Sequence, residues 1–130
     1  MIVLDASAVV ELLISGPLAK SIGEELARGD ESLIVPHLLD VEVTSALRSL
    51  DAARHIDSYE VHQALTALAE LPAERVPHTP FLGRIWELRH NFTAYDAIYI
   101  ALAEATDAVL YTSDTKLAKG HRARVRVFGE

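Results

Sequence analysis

The sequence contains no cysteine, which excludes disulfides and thiolate-held metals at the outset. Aromatic residues make up only 6% of it, so the core has to be built from Leu, Ile, Val and Ala. No stretch approaches the run of roughly 18 apolar residues that a membrane-spanning helix needs. The first apolar stretch, Met1 to Leu4, meets Asp5 at once, too soon for the centre of a signal peptide. A soluble, cytoplasmic protein without membrane contact is expected. Positive charge is also scarce. The chain carries 12 Lys+Arg against 19 Asp+Glu, a net charge of −7, which taken alone argues against nucleic acid as a partner.

Half of the 130 residues are hydrophobic, enough for a sizeable core. The length suits one domain spanning residues 1–130. Charge is spread unevenly. Lys116, Lys119, Arg122, Arg124 and Arg126 fall in the last stretch with Glu130 as its one acid, leaving the rest of the chain strongly acidic. Two arrangements fit an acidic body with a basic tail: a metal-filled acidic cleft beside a phosphate-binding edge, or a plain acidic protein with a solvated basic end.

Apolar runs of strand length alternate with longer helical patterns. Ile2-Val3-Leu4, Leu33-Ile34-Val35, Glu74-Arg75-Val76, Ala108 to Tyr111 and Val125 to Phe128 read as strands, the third of them an edge strand. Helices are expected over Ala8–Ile14, Leu18–Arg28, Pro36 to about Leu50, Tyr59–Glu70, from Pro80 through Leu88, and from a Thr93 cap to Ala105, with a short one over Asp114–Lys119. In the Thr93 helix, Tyr95, Ile98, Tyr99 and Leu102 have core spacing. Such alternation implies right-handed crossovers and a mostly parallel sheet covered on both faces. Functional groups then collect at the carboxyl ends of the strands.

Four acids map to that end. Asp5 directly follows the first strand, and Asp114 follows the fourth by two residues. Asp96 falls in the first turn of the Thr93 helix, and Glu42 within the helix after the second strand. Each has a bland reading. Asp5 and Asp114 could cap helices, Asp96 could complete a capping box with Thr93, and Glu42 could be a half-buried carboxylate at the edge of the Leu39, Val43, Leu47 stripe. As a set they say more. Carboxylates held together raise one another's pKa, a cost that cations relieve. An oxygen-only set with no paired histidines suits Mg²⁺ or Mn²⁺ rather than zinc. Such a centre activates water for phosphodiester hydrolysis; spacing does not say whether the ester belongs to RNA, DNA or a phosphomonoester.

Four short motifs, in order across essentially the whole chain, carry a resemblance. Val3-Leu4-Asp5-Ala6-Ser7-Ala8, Asp40-Val41-Glu42-Val43, Thr93-Ala94-Tyr95-Asp96-Ala97 and Thr112-Ser113-Asp114 resemble the acidic motifs of the PIN-domain ribonucleases. The size resembles the VapC-like toxins of VapBC toxin–antitoxin modules. The resemblance implies a three-layer α/β/α sandwich with a five-stranded sheet. It implies Mg²⁺- or Mn²⁺-dependent endoribonuclease action, often on transfer or ribosomal RNA, a small VapB-like antitoxin that covers the site, and a homodimer. It makes Asp5, Glu42, Asp96 and Asp114 the metal-binding, catalytic carboxylates. Ser7 and Thr112 become hydroxyls that hold a carboxylate from behind.

Two other classes compete. An aspartyl-nucleophile phosphohydrolase would use Asp5, but the second Asp such enzymes want two residues on is here Ser7. A non-catalytic PIN-like protein-binding module would have no use for the acidic set. Outside the four acids, the six histidines form no ligand spacing and read as surface or edge residues. Arg84, Arg89 and His90 read as a solvated helix face, with phosphate contact as the alternative. Arg122, Arg124 and Arg126 alternate with period two, so they point one way from the last strand, where RNA-backbone contact competes with ordinary surface charge. Trp86 is expected in the core or in a helix-packing contact.

Overall fold

The computed structural model describes every residue except Asp30 and Glu130. Five strands form one sheet in the order β3-β2-β1-β4-β5, with every neighbouring pair parallel. They are β1 (Ile2–Leu4), β2 (Leu33–Pro36), β3 (Ala73–Val76), β4 (Val109–Thr112) and β5 (Arg124–Val127). The central β1 is buried throughout. That is why Ile2-Val3-Leu4 reads as a continuous apolar run and not as an alternation. The edge strand β5 alternates instead between exposed and half-buried residues, and the other edge strand, β3, has no fully buried residue.

Six helices cover the sheet: α1 (Ala6–Leu13), α2 (Ala19–Arg28), α3 (Leu38–Ala52), α4 (Ser58–Ala69), α5 (Leu82–Glu87) and α6 (Ala94–Thr106). The chain steps from β1 outward to β3, then returns past β1 to β4 and β5. Right-handed crossovers therefore put α1–α4 on one face and α5 and α6 on the other. α6 packs on β1, β2 and β4, and α5 packs on α6. Residues Ala97 through Ala103 of α6 are all buried, as expected of a helix apolar on every side. The direction of travel reverses between β1 and β4, so the switch point lies at their carboxyl ends.

Local signals set most element ends. Asp57 and Glu60 form a complete capping box at the start of α4. Thr93 caps α6 through the Asp96 amide, without the reciprocal bond that would make Asp96 a box partner. Asp107, in the left-handed conformation, ends α6. Two expectations need correction at helix starts. Pro36 belongs to β2 and α3 begins at Leu38. The Pro80 segment opens as a 3₁₀ turn, Thr79–Phe81, before the six residues of α5.

Two side chains expected inside are outside. Trp86 is 66% exposed, because α5 is a single short helix with nothing packed over it; the Arg89 guanidinium lies 4.3 Å from its ring centroid. Tyr95 is 61% exposed. It shares a helical face with Ile98 and Tyr99, which are buried, but burial along that face does not extend to the first turn of α6.

Candidate active site

Among the described residues Asp5 and Thr112 are the two buried polar ones, and they meet at the switch point. The register pairs Leu4 with Tyr111, and the Asp5 amide donates to the Tyr111 carbonyl at 3.2 Å. The residues that follow each strand are thus brought side by side. Asp5 caps α1 by accepting from the Ala8 amide at 3.0 Å on Oδ1. The Ser7 hydroxyl donates to the same oxygen at 2.7 Å, and the Thr112 hydroxyl donates to Oδ2.

Both hydroxyls are oriented by amides that need acceptors. The Ser113 amide donates to Ser7 Oγ at 3.0 Å, and the Asp114 amide donates to Thr112 Oγ1 at 3.0 Å. Each hydroxyl therefore spends its only proton on Asp5. Thr112 links two acids, holding the carboxylate of one and the backbone of the other. Asp114 also caps the short 3₁₀ segment Thr115–Ala118, accepting from the Lys116 amide at 2.9 Å. Asp5 and Asp114 do cap the segments that follow them, and capping does not exclude a role in the candidate site. A cap position at a strand's carboxyl end is also a position on the rim.

Glu42 is half-buried in the second turn of α3 and accepts from the Tyr99 hydroxyl at 2.6 Å. Tyr99 is a member of the site that periodicity concealed. Its ring is core, as expected, but a buried phenol needs a partner, and that partner is Glu42. The signal available in the sequence was a tyrosine three residues after Asp96.

The electrostatics tie the acids together. Burial raises the pKa of Asp5 despite its hydrogen bonds, and the charge of Asp96 adds to the rise. Glu42 is raised by burial, against the Tyr99 bond, and further by Asp96 and Asp5. Asp96 is raised by burial and then by Asp114, with Thr93 and Lys116 drawing it partly back. Tyr99 is driven far above the ordinary phenol value by burial and by Glu42, so it remains a donor at any working pH. Asp96 is the common member. Asp5 and Glu42 feel its charge, and it feels that of Asp114.

The donor set fits a hard divalent cation: all oxygen, mutually repelling, with three of its four members raised in pKa and Oε2 of Glu42 left over after the Tyr99 bond. It is an acidic rim rather than a preformed cage. Among the described residues no three acidic or histidine side chains stand close enough to grip one ion as they lie.

Several other charged residues are paired within the chain. Arg84, expected on a solvated face, makes a two-pronged bridge to Glu104 at 2.7 and 3.0 Å. Arg124 and Arg126 are exposed on one side of β5, and Arg122 is exposed just before the strand begins. Each lies against an acid of this chain: Glu104 at 3.8 Å, Asp107 at 3.4 Å and Glu25 at 3.4 Å. The histidines are exposed apart from His121, which bonds the Leu117 carbonyl and the Ala123 amide.

A doubly wound parallel sheet with carboxylates gathered over its switch point defines a class that the comparisons then specify. The PIN domain model matches residues 2–122, and the chain belongs to the PIN-domain family. Its relatives there are VapC ribonucleases. Ribonuclease VapC1 of Mycobacterium tuberculosis is 45% identical over 120 residues, covering 89% of this chain and 87% of that one. Among solved structures, VapC20 of M. tuberculosis, described as a sarcin–ricin loop cleaving toxin, superposes with a TM-score of 0.71 at 16% identity, covering 94% of this chain and 97% of the other. VapBC2 from Rickettsia felis, bound to a DNA fragment from its promoter, also gives 0.71, at 15% identity and 98% and 99% coverage.

Proposed function

We propose that the chain, acting as a single domain over residues 1–130, is a divalent-metal-dependent endoribonuclease, the toxin of a toxin–antitoxin pair. The observation that carries this reading is the geometry at the switch point, where buried Asp5, held by Ser7 and Thr112, and half-buried Glu42, held by Tyr99, lie near enough to Asp96 to feel its charge. The kinship with VapC ribonucleases supports RNA as the substrate; transfer and ribosomal RNA are the candidate targets. The toxin–antitoxin complexes among its fold neighbours support a VapB-like antitoxin as partner. A homodimer working in the cytoplasm completes the reading.

In this mechanism Asp5, Glu42, Asp96 and Asp114 would hold Mg²⁺ or Mn²⁺. When bound, the metal supplies a lowered pKa for water and neutralises charge on the phosphodiester. The protein's part is positional. Ser7, Thr112 and the Ala8 amide fix the Asp5 carboxylate in place, with two donors on Oδ1 and one on Oδ2. Tyr99 fixes one oxygen of Glu42 and leaves Oε2 for a ligand. Asp96, whose charge Asp5 and Glu42 both feel, would be relieved of part of that repulsion by a cation.

The phosphohydrolase alternative fares poorly. Asp5 is 5% exposed and both of its oxygens accept hydrogen bonds, which blunts and shields a would-be nucleophile. The binding-module alternative is separated by experiment. Antitoxin-free protein is incubated with total RNA in Mg²⁺, Mn²⁺ or EDTA, beside Asp96→Asn. Metal-requiring, discrete cleavage that is lost in the variant is expected. A folded wild-type protein that leaves RNA intact in both metals would transfer the case to the binding module.

A further inference from the structure

Glu42 stands between two clefts of different character. On one side Ser7, Ser45, Ser49 and Ser113 contribute hydroxyls to a cleft of about 500 Å³. On the other, Leu38, Val41, Ser45 and Tyr95 enclose with Glu42 a cleft of about 390 Å³. Its apolar members are laid bare: Val41 is 68% exposed and Tyr95 61%. Each is the chain neighbour of a rim carboxylate, Val41 of Glu42 and Tyr95 of Asp96.

Three large aromatic side chains are exposed among the described residues: Tyr59, Trp86 and Tyr95. The Tyr59 hydroxyl accepts from Gln63 on the outer face of α4, and one face of Trp86 is taken by Arg89. Only Tyr95 shares a cleft with a carboxylate of the site. Unpaired bases in RNA are recognised chiefly by stacking on such rings, whereas bases within a duplex are already stacked and out of reach.

Resting on the ribonuclease reading above, we propose that Tyr95, backed by Leu38 and Val41, is the stacking platform for an unpaired nucleobase next to the scissile phosphodiester. The phosphate sits over the carboxylates while the adjoining base leaves the strand on the α3–α6 side. The polar groups of the cleft are Ser45, the phenol and the Glu42 carboxylate, so stacking on the ring requires an unpaired base whatever its identity.

Antitoxin-free protein is assayed on a short single-stranded RNA and on the same sequence as a duplex, with 2-aminopurine placed beside the cut site. For Tyr95→Ala, KM rises about tenfold, within the range that loss of one stacked base gives, while kcat changes less. Tyr95→Phe retains the wild-type KM, because the ring and not the hydroxyl carries the contact. The 2-aminopurine fluorescence is quenched on binding to wild type and Tyr95→Phe, but not to Tyr95→Ala. Wild-type KM in Tyr95→Ala, or equal cutting of duplex and single strand, would overturn the platform while leaving the ribonuclease reading intact. A change of sedimentation mass in Tyr95→Ala would instead assign this face to a second copy of the chain. Failure of the wild-type protein to cut any RNA would remove both readings together.

Discussion

Thr112 shows how much one hydroxyl can hold. It is fully buried, donates to Asp5 and accepts from the Asp114 amide. Thr112→Val keeps the shape but leaves a buried carboxylate and an amide each short of a partner. A loss of about 1–3 kcal/mol is expected in urea unfolding, with metal affinity reduced about 10- to 100-fold by titration. Thr112→Ser should restore most of both. Asp96 behaves in the opposite way. Its raised pKa records burial and repulsion from Asp114, so Asp96→Asn relieves both at neutral pH. In EDTA the variant is expected to melt about 2–4 °C higher than wild type, a modest gain because the group is only half-buried. It should be inactive on RNA and lose the stabilisation by added metal. A lower melting temperature in EDTA would mean that Asp96 is a structural acid.

Between elements, two-pronged arginine bridges do the work that packing leaves undone. Arg75 on the edge strand β3 reaches Asp40 of α3 at 2.8 and 3.0 Å and also donates to the Leu68 and Leu71 carbonyls at the end of α4. A lysine cannot reproduce that fork, so Arg75→Lys should loosen β3 and raise hydrogen exchange there while the centre of the sheet stays protected. Arg84 joins α5 to α6 through Glu104, whose side chain is only 8% exposed. Chiefly through the Arg84 hydrogen bond, and despite burial, the Glu104 pKa lies below the ordinary value. A carboxylate lowered in this way stabilises the fold above its unfolded pKa and loses that contribution as pH falls. Arg84→Ala should therefore make the protein less stable at neutral pH and flatten its acid-unfolding profile, as read by thermal melts across pH 3–7 (~ values bracketing the carboxylate range).

For the molecule as a whole, the rim and the Glu104 bridge pull against each other. Asp5, Glu42 and Asp96 are all raised. The folded protein thus holds protons that the unfolded chain has released, and stability falls as pH rises from the unfolded carboxylate range through the raised values. In EDTA the melting temperature is expected to peak on the acid side of neutrality, where Glu104 is ionised and the rim still partly protonated. Mg²⁺ or Mn²⁺ should move the peak toward neutral pH, because binding favours the ionised rim. A peak unmoved by either metal would count against a metal centre here.

Local chemistry was enough to read off the succession of strands and helices and the parallel sheet, and to place Asp5, Glu42, Asp96 and Asp114 toward the carboxyl ends of its strands as candidates. Strand runs, caps and turn residues act over a few positions, and a parallel sheet makes the strand ends a common destination. The same local reading could not place Tyr95 or Trp86, since helical spacing says which residues share a face but not whether anything covers that face. Nor could it tell that Arg84 and the β5 arginines are bound to acids far along the chain, or that Tyr99 turns its hydroxyl to Glu42. Those pairings are made by crossovers that bring α3, α5, α6 and β5 together, so only the folded chain decides which charges are already taken and which surface is left open beside the carboxylates.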